Sequence, residues 1–154
     1  MYDLELRNSQ NFIQQPIQEI TFWLFRNSKC MNKKFIFIVE DDKAYVNVYR
    51  TKLESEGYEV AIVERGNLVI PELRKRKPDL VILDLVLPEK TGFAILKDIR
   101  ADSELKDLKV IVASNLSQEG DKEKVKKLGV LDYLIKSEIS IFELIEKIKK
   151  ALAS

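Results

Sequence analysis

From Lys33 onward, short apolar runs that end on polar residues alternate five times with longer stretches of helical periodicity. Phe35 to Val39 is a continuous apolar run closed by Glu40-Asp41-Asp42, and it reads as a strand buried on both faces. The next stretch places Tyr45, Val48, Tyr49 and Leu53 on one side and stops at Gly57, as helices often stop at glycine. Tyr58 to Val63 reads as a second strand, and Asn67 to Lys77 as a helix that Pro71 either starts or breaks. Leu80 to Leu83 is a third buried strand, followed by a helix from Gly92 to Arg100 with Phe93, Leu96 and Ile99 facing inward. Val110 to Ala113 is a fourth strand, Gln118 to Leu128 a strongly charged helix, and Leu131 to Ile135 a fifth strand. The last helix carries Ile141, Ile145, Ile148 and Leu152 on one stripe. Strands separated by helix-length connections pair in parallel, and right-handed crossovers distribute the helices over both faces. The expected class is therefore α/β, a doubly wound five-stranded parallel sheet, forming one domain over residues 33–154.

Residues 1–32 have a different character. They are rich in Asn and Gln, with Ile13, Ile17, Ile20 and Leu24 at helical spacing and Pro16 suited to a first turn. They are expected to form an N-terminal extension, helical or partly disordered; a start at Met31 is the simpler alternative.

Composition excludes several chemistries. The chain has no His, which removes Ser-His and Cys-His pairs and imidazole metal ligands. Its one Cys, Cys30, rules out an internal disulfide framework and suits a reducing compartment. Twenty-six Lys and Arg against 25 Asp and Glu leave a net charge of +1, which argues against a nucleic-acid-binding surface. No apolar run approaches the roughly 18 residues of a membrane span. Phe22-Trp23-Leu24-Phe25 is also too short for a secretion signal. The expectation is a soluble, cytoplasmic protein with no membrane or nucleic-acid partner, whose chemistry rests on carboxylates, hydroxyls and amines.

Ligands of open parallel sheets bind at the carboxyl ends of the strands. Glu40, Asp41 and Asp42 follow the first strand, Asp84 the third, Ser114 the fourth and Lys136 the fifth. Asp42 has an ordinary reading as a helix N-cap, whereas a charge at a buried strand end such as Asp84 needs a partner or a metal. Clustered carboxylates without His or Cys suit a hard cation, Mg²⁺ above all. A magnesium ion, a lysine and a hydroxyl together make a surrounding for a phosphoryl group, and Asp84 is the natural nucleophile.

With these motifs in order, the chain from Lys33 to the C-terminus resembles the receiver domain of bacterial two-component response regulators, in the stand-alone form of the chemotaxis regulators. Phe35 to Asp42 looks like the first strand and its acidic pair. Val81-Ile82-Leu83-Asp84-Leu85-Val86-Leu87-Pro88 looks like the phosphoacceptor strand, with Pro88 and Gly92 at the family's spacing. Ser114 falls where the family has Ser or Thr, and Asp132-Tyr133-Leu134-Ile135-Lys136 resembles its fifth strand. The resemblance implies a flavodoxin-like (βα)5 fold with strand order 2-1-3-4-5. It implies that Asp84 accepts phosphate from a partner histidine kinase or phosphotransfer protein. Asp41, Asp84 and the backbone carbonyl of Val86 would bind Mg²⁺, with Glu40 acting mostly through water. Lys136 would pair with the phosphoryl group, while Ser114 and Tyr133 would act as the switch toward an output protein or a phosphorylation-dependent homodimer. Such a protein takes part in its own phosphorylation and is not an enzyme in the usual sense.

The chain departs from the family pattern at several positions. Ser137 follows Lys136 where the family commonly has Pro after a cis bond, so a trans bond and a different loop are expected. Thr91 stands where an acid is often found before Gly92. Val86 and Leu116 occupy the positions two beyond the phosphoacceptor and two beyond the Ser/Thr; both are apolar, and a long-lived phospho-form is the hypothesis they raise. Two rival readings are a phosphorylation-independent scaffold and an aspartate-dependent phosphatase or phosphotransferase. The latter typically has a second acid two residues beyond the nucleophile, where this chain has Val86.

Overall fold

The apolar runs become strands β1 (Phe35–Val39), β2 (Glu59–Val63), β3 (Leu80–Leu83), β4 (Val110–Ser114) and β5 (Asp132–Ile135). Between and after them lie helices α1 (Lys43–Ser55), α2 (Val69–Lys75), α3 (Gly92–Ala101), α4 (Glu119–Lys127) and α5 (Ile141–Ala153). This computed structural model describes residues 33–153; the stripe from Ile13 to Leu24 lies outside the described residues. The strands form one parallel sheet in the order β2-β1-β3-β4-β5, the doubly wound arrangement expected.

Every residue of β1, β3 and β4 is buried, because helices cover both faces of the sheet. Alternate side chains feed two cores. Phe35, Phe37, Val39, Val81, Leu83 and Val112 pack with Leu73 of α2 and with Ile95, Leu96 and Ile99 of α3. Ile36, Ile38, Ile82 and Ile111 pack on the opposite face with Leu53 of α1 and with Leu144, Ile145 and Ile148 of α5. A one-residue slip of any central strand would exchange its two sets of side chains, so the register is strongly specified.

Two inward positions differ from the expected ones. In α1 the buried stripe is Val46, Tyr49 and Leu53, and Val48 is 49% exposed. Spacings of three and four residues select Val46, and Val48 falls off that stripe. In α3 Ile95 joins Leu96 and Ile99 inside, while Phe93 packs against the core from its margin. Pro71 sits in the first turn of α2, where its missing N–H breaks no helical hydrogen bond. Helix α4 buries Val125 alone. Leu105 and Leu108, in the segment between α3 and β4, complete the first core. Arg100 fastens that segment: its guanidinium donates to the carbonyls of Leu128 (2.7 Å), Lys106 (2.8 Å), Gly129 (2.9 Å) and Leu108 (3.0 Å).

The register places the site. Val39 lies opposite both Val63 and Leu83, so β1 and β3 end side by side. The Glu40 N–H donates to the Val63 carbonyl at 3.2 Å and the Asp84 N–H to the Val39 carbonyl at 3.0 Å, carrying the ladder onto the rim.

Candidate functional site

Glu40 and Asp84 leave adjacent strands, and Lys136 leaves β5; all three are buried, at 2%, 5% and 7% exposure. The Lys136 Nζ donates to Glu40 Oε2 at 2.5 Å and to Asp84 Oδ2 at 2.6 Å. Each carboxylate is also held from its own loop. The Asp42 N–H donates to Glu40 Oε1 at 3.2 Å, and the Val86 N–H to Asp84 Oδ1 at 3.1 Å. Burial pushes the Glu40 carboxyl above its usual range, with Lys136 opposing the shift and Asp84 adding to it. For Lys136, burial pulls the pKa down, but the hydrogen bonds to Asp84 and Glu40 outweigh it and the net shift is upward. The ammonium thus stays charged at neutral pH.

Asp41 is exposed at the same rim. Glu40, Asp41 and Asp84 each present a carboxylate oxygen, and these oxygens lie within 4.8 Å of one another. A single buried ammonium cannot neutralise so many acids, and the all-oxygen donor set fits a hard divalent cation. Asp42, by contrast, is the N-cap of α1 and accepts the Ala44 N–H at 2.8 Å, the ordinary role its position suggested.

Ser114 ends β4 fully buried; its carbonyl accepts the Lys136 N–H at 3.1 Å, and its Oγ takes a long bond of 3.5 Å from the Leu116 N–H. Tyr133 is half-buried in β5, and its hydroxyl donates to the Leu116 carbonyl at 2.7 Å. The Val86 side chain is 57% exposed, while its backbone sits beside Asp84. Gly92 permits this packing: a Cβ there would lie 2.1 Å from the Asp84 carbonyl oxygen and 2.6 Å from the Leu85 Cα. The turn that follows Asp84 therefore rests directly on the start of α3. Gly66 plays the same part on the other side, where a Cβ would meet the Lys90 carbonyl oxygen at 2.2 Å.

The family model for the response regulator receiver domain matches residues 36–149. The chain belongs to this family. A polar-differentiation response regulator, DivK of Brucella anthropi, is 33% identical over 119 residues, which cover 77% of this chain and 96% of DivK. Among solved structures, the receiver domain of the sensor histidine kinase PA1611 from Pseudomonas aeruginosa superposes with a TM-score of 0.72 at 26% identity. That likeness covers 80% of this chain and 100% of the other, whose magnesium ion is coordinated in the active site cleft. The phosphorylated cyanobacterial phytochrome response regulator RcpA is 31% identical with a TM-score of 0.65, over 79% of this chain and 91% of its own. As a receiver domain the chain takes part in its own phosphorylation and dephosphorylation and is not a conventional enzyme. Its acidic cluster is placed for metal-assisted chemistry at an aspartate.

Two aromatic residues named in the sequence only for the inward stripe of α1 also stand at the site of this receiver domain. The Lys136 Nζ lies 4.4 Å from the centre of the Tyr45 ring, within cation–π range. Tyr49, buried beneath it, has its phenol pushed upward by burial and by the charges of Glu40 and Asp84. Both read as core-facing helix positions. The cue to their second role is that α1 starts directly after the acids, which puts its first turns against the rim. Asn115 escaped notice, and its Oδ1 accepts the Ser137 N–H at 3.1 Å.

Proposed function

We propose that this receiver domain accepts a phosphoryl group on Asp84 from a histidine kinase or phosphotransfer protein in a Mg²⁺-dependent step, and signals through contact with an output protein. The observation that carries this reading is the Lys136 ammonium, bonded at once to Asp84 and Glu40 inside a group of three acids. An oxygen of the Asp84 carboxylate attacks phosphorus, and the P–N bond of the phosphohistidine breaks. The electron pair of that bond stays on the imidazole nitrogen of the partner. Asp41, Asp84 and the Val86 carbonyl would hold the magnesium ion, whose charge offsets that of the phosphoryl oxygens. Glu40 would act mostly through a metal-bound water, as the family resemblance implies. Lys136 stands ready to transfer one of its hydrogen bonds to a phosphoryl oxygen. Ser114 supplies a hydroxyl, and Tyr133 links its loop to β5.

The receiver domain is taken as residues 33–154, with 1–32 as an extension. The cytoplasm, where such kinases present phosphohistidine, is its proposed location. Among the described residues no helix is long and apolar enough to cross a membrane.

Incubation with Mg²⁺ and acetyl phosphate, followed by intact-mass measurement, tests the assignment. One added phosphate is expected for the wild type and none for Asp84→Asn. Failure of the wild type to gain phosphate, from acetyl phosphate or from a panel of kinases, favours the phosphorylation-independent scaffold.

A further inference from the structure

Three consecutive residues leaving β4 are fastened to β5 or its exit. The Ser114 carbonyl accepts the Lys136 N–H at 3.1 Å, the last rung of the β4–β5 ladder. The Leu116 carbonyl accepts the Tyr133 hydroxyl at 2.7 Å. Between them, the Asn115 side-chain oxygen accepts the Ser137 N–H at 3.1 Å. That middle bond joins the two exits beyond the end of the ladder, from a backbone N–H to a side-chain amide oxygen. It exists because residue 137 is not proline: proline has no N–H to donate.

We propose that the Asn115–Ser137 bond is a positioning rung, which sets the spacing of Ser114 and Lys136 for the phosphoryl group; this rests on the reading of Asp84 as phosphoacceptor. Asn115 directly follows Ser114, and Ser137 directly follows Lys136. The bond thus ties together the residues next to the two groups that meet phosphoryl oxygens. The proposed metal ligands leave β1 and β3, on the other side of the site. Lys136 also holds Asp84, so the rung bears first on phosphoryl recognition and only secondarily on metal affinity. It also explains how the chain manages without proline after Lys136: the loop takes its constraint from a hydrogen bond to the neighbouring loop. Among the described residues no peptide bond is cis. Only the backbone of Ser137 takes part, so its hydroxyl is dispensable.

A double-mutant cycle on the full chain tests this, with calorimetric titration of Mg²⁺ alone and then of beryllofluoride, a phosphoryl mimic, in saturating Mg²⁺. Asn115→Ala and Ser137→Pro should each weaken beryllofluoride binding about three-fold, the ratio that one exposed hydrogen bond of modest strength supports. Ser137→Ala should bind like the wild type, since it keeps the N–H. The double variant Asn115→Ala/Ser137→Pro should be no worse than either single one, because both remove the same bond. Mg²⁺ affinity should change less than beryllofluoride affinity in all four. The proposal is overturned if Ser137→Ala also weakens the mimic, if the two losses multiply, or if Mg²⁺ affinity falls in parallel. Thermal melts check folding, and if Ser137→Pro fails to fold, Asn115→Ala against Ser137→Ala decides. Wild-type protein that binds Mg²⁺ but no beryllofluoride would overturn the phosphoacceptor reading itself, and this inference with it.

Discussion

Removing Lys136 leaves two buried carboxylates facing each other across the gap that its ammonium fills. Lys136→Met in metal-free buffer at pH 7 is expected to cost about 3–5 kcal/mol of stability, since breaking a buried ion pair strands its partners. Urea titration measures the loss, and Mg²⁺ should restore part of it by taking over the neutralising charge. No recovery with Mg²⁺ would argue against metal binding by the three acids. Leu116 makes a second prediction at this scale. Its half-buried side chain packs against the first core, and its backbone N–H and carbonyl are taken by Ser114 and Tyr133. It offers no group to orient an attacking water, and Val86 has none either. The phosphorylated protein is expected to persist for minutes, and Leu116→Asn to shorten that life several-fold. Decay followed by intact mass checks both, and a wild-type lifetime of seconds would sink the hypothesis.

Elements in this fold are fastened at both ends of the sheet. At the far end from the site, Asp79 accepts the Phe35 N–H at 2.8 Å and the Lys34 ammonium at 2.9 Å, joining the starts of β1 and β3. Burial pushes the Asp79 carboxyl upward, but these two partners outweigh burial and hold it below its usual value of 3.8. A depressed carboxyl stabilises the fold above its unfolded pKa, and the contribution fades as pH falls through the folded one. Asp79→Asn should thus cost about 1 kcal/mol at pH 7, the scale of a partly exposed charged hydrogen bond. In acid below the folded pKa it should cost almost nothing. Urea titrations at the two pH values check the sign. Near the site, Gly92→Ala forces a methyl group onto the Asp84 carbonyl and should destabilise by about 3 kcal/mol, the upper range for overpacking. Chemical denaturation reads it.

Among the described residues two cores, one on each face of the sheet, carry the domain, and α4 has the weakest hold on either through Val125 alone. Sparse burial predicts low local stability. Amide hydrogen exchange should find α4 the least protected of the described helices. Much of this organisation was legible in the sequence. Strands buried on both faces announce themselves as unbroken apolar runs, and their ends then deliver Glu40, Asp84, Ser114 and Lys136 by topology alone. What stayed hidden depends on angles and on distant partners. Val46 against Val48 is a question of where a helix stripe falls. Leu105 and Leu108 lie outside any periodic segment. The Asn115–Ser137 bond joins residues far apart in the chain, and the departure at Ser137 gave no sign of Asn115 as its partner.

Arg100 has a consequence of another kind. Its guanidinium donates to four neutral carbonyls from two separate segments, a joint made of dipoles. Exposed pairs such as Arg76–Glu59 and Lys147–Asp132 join opposite charges, which dissolved salt screens. As ionic strength rises, the ornament of surface pairs weakens first and the joint at the foot of α3 holds. A cell that concentrates potassium under osmotic stress would loosen the periphery of this protein and spare the seam between α3 and β4.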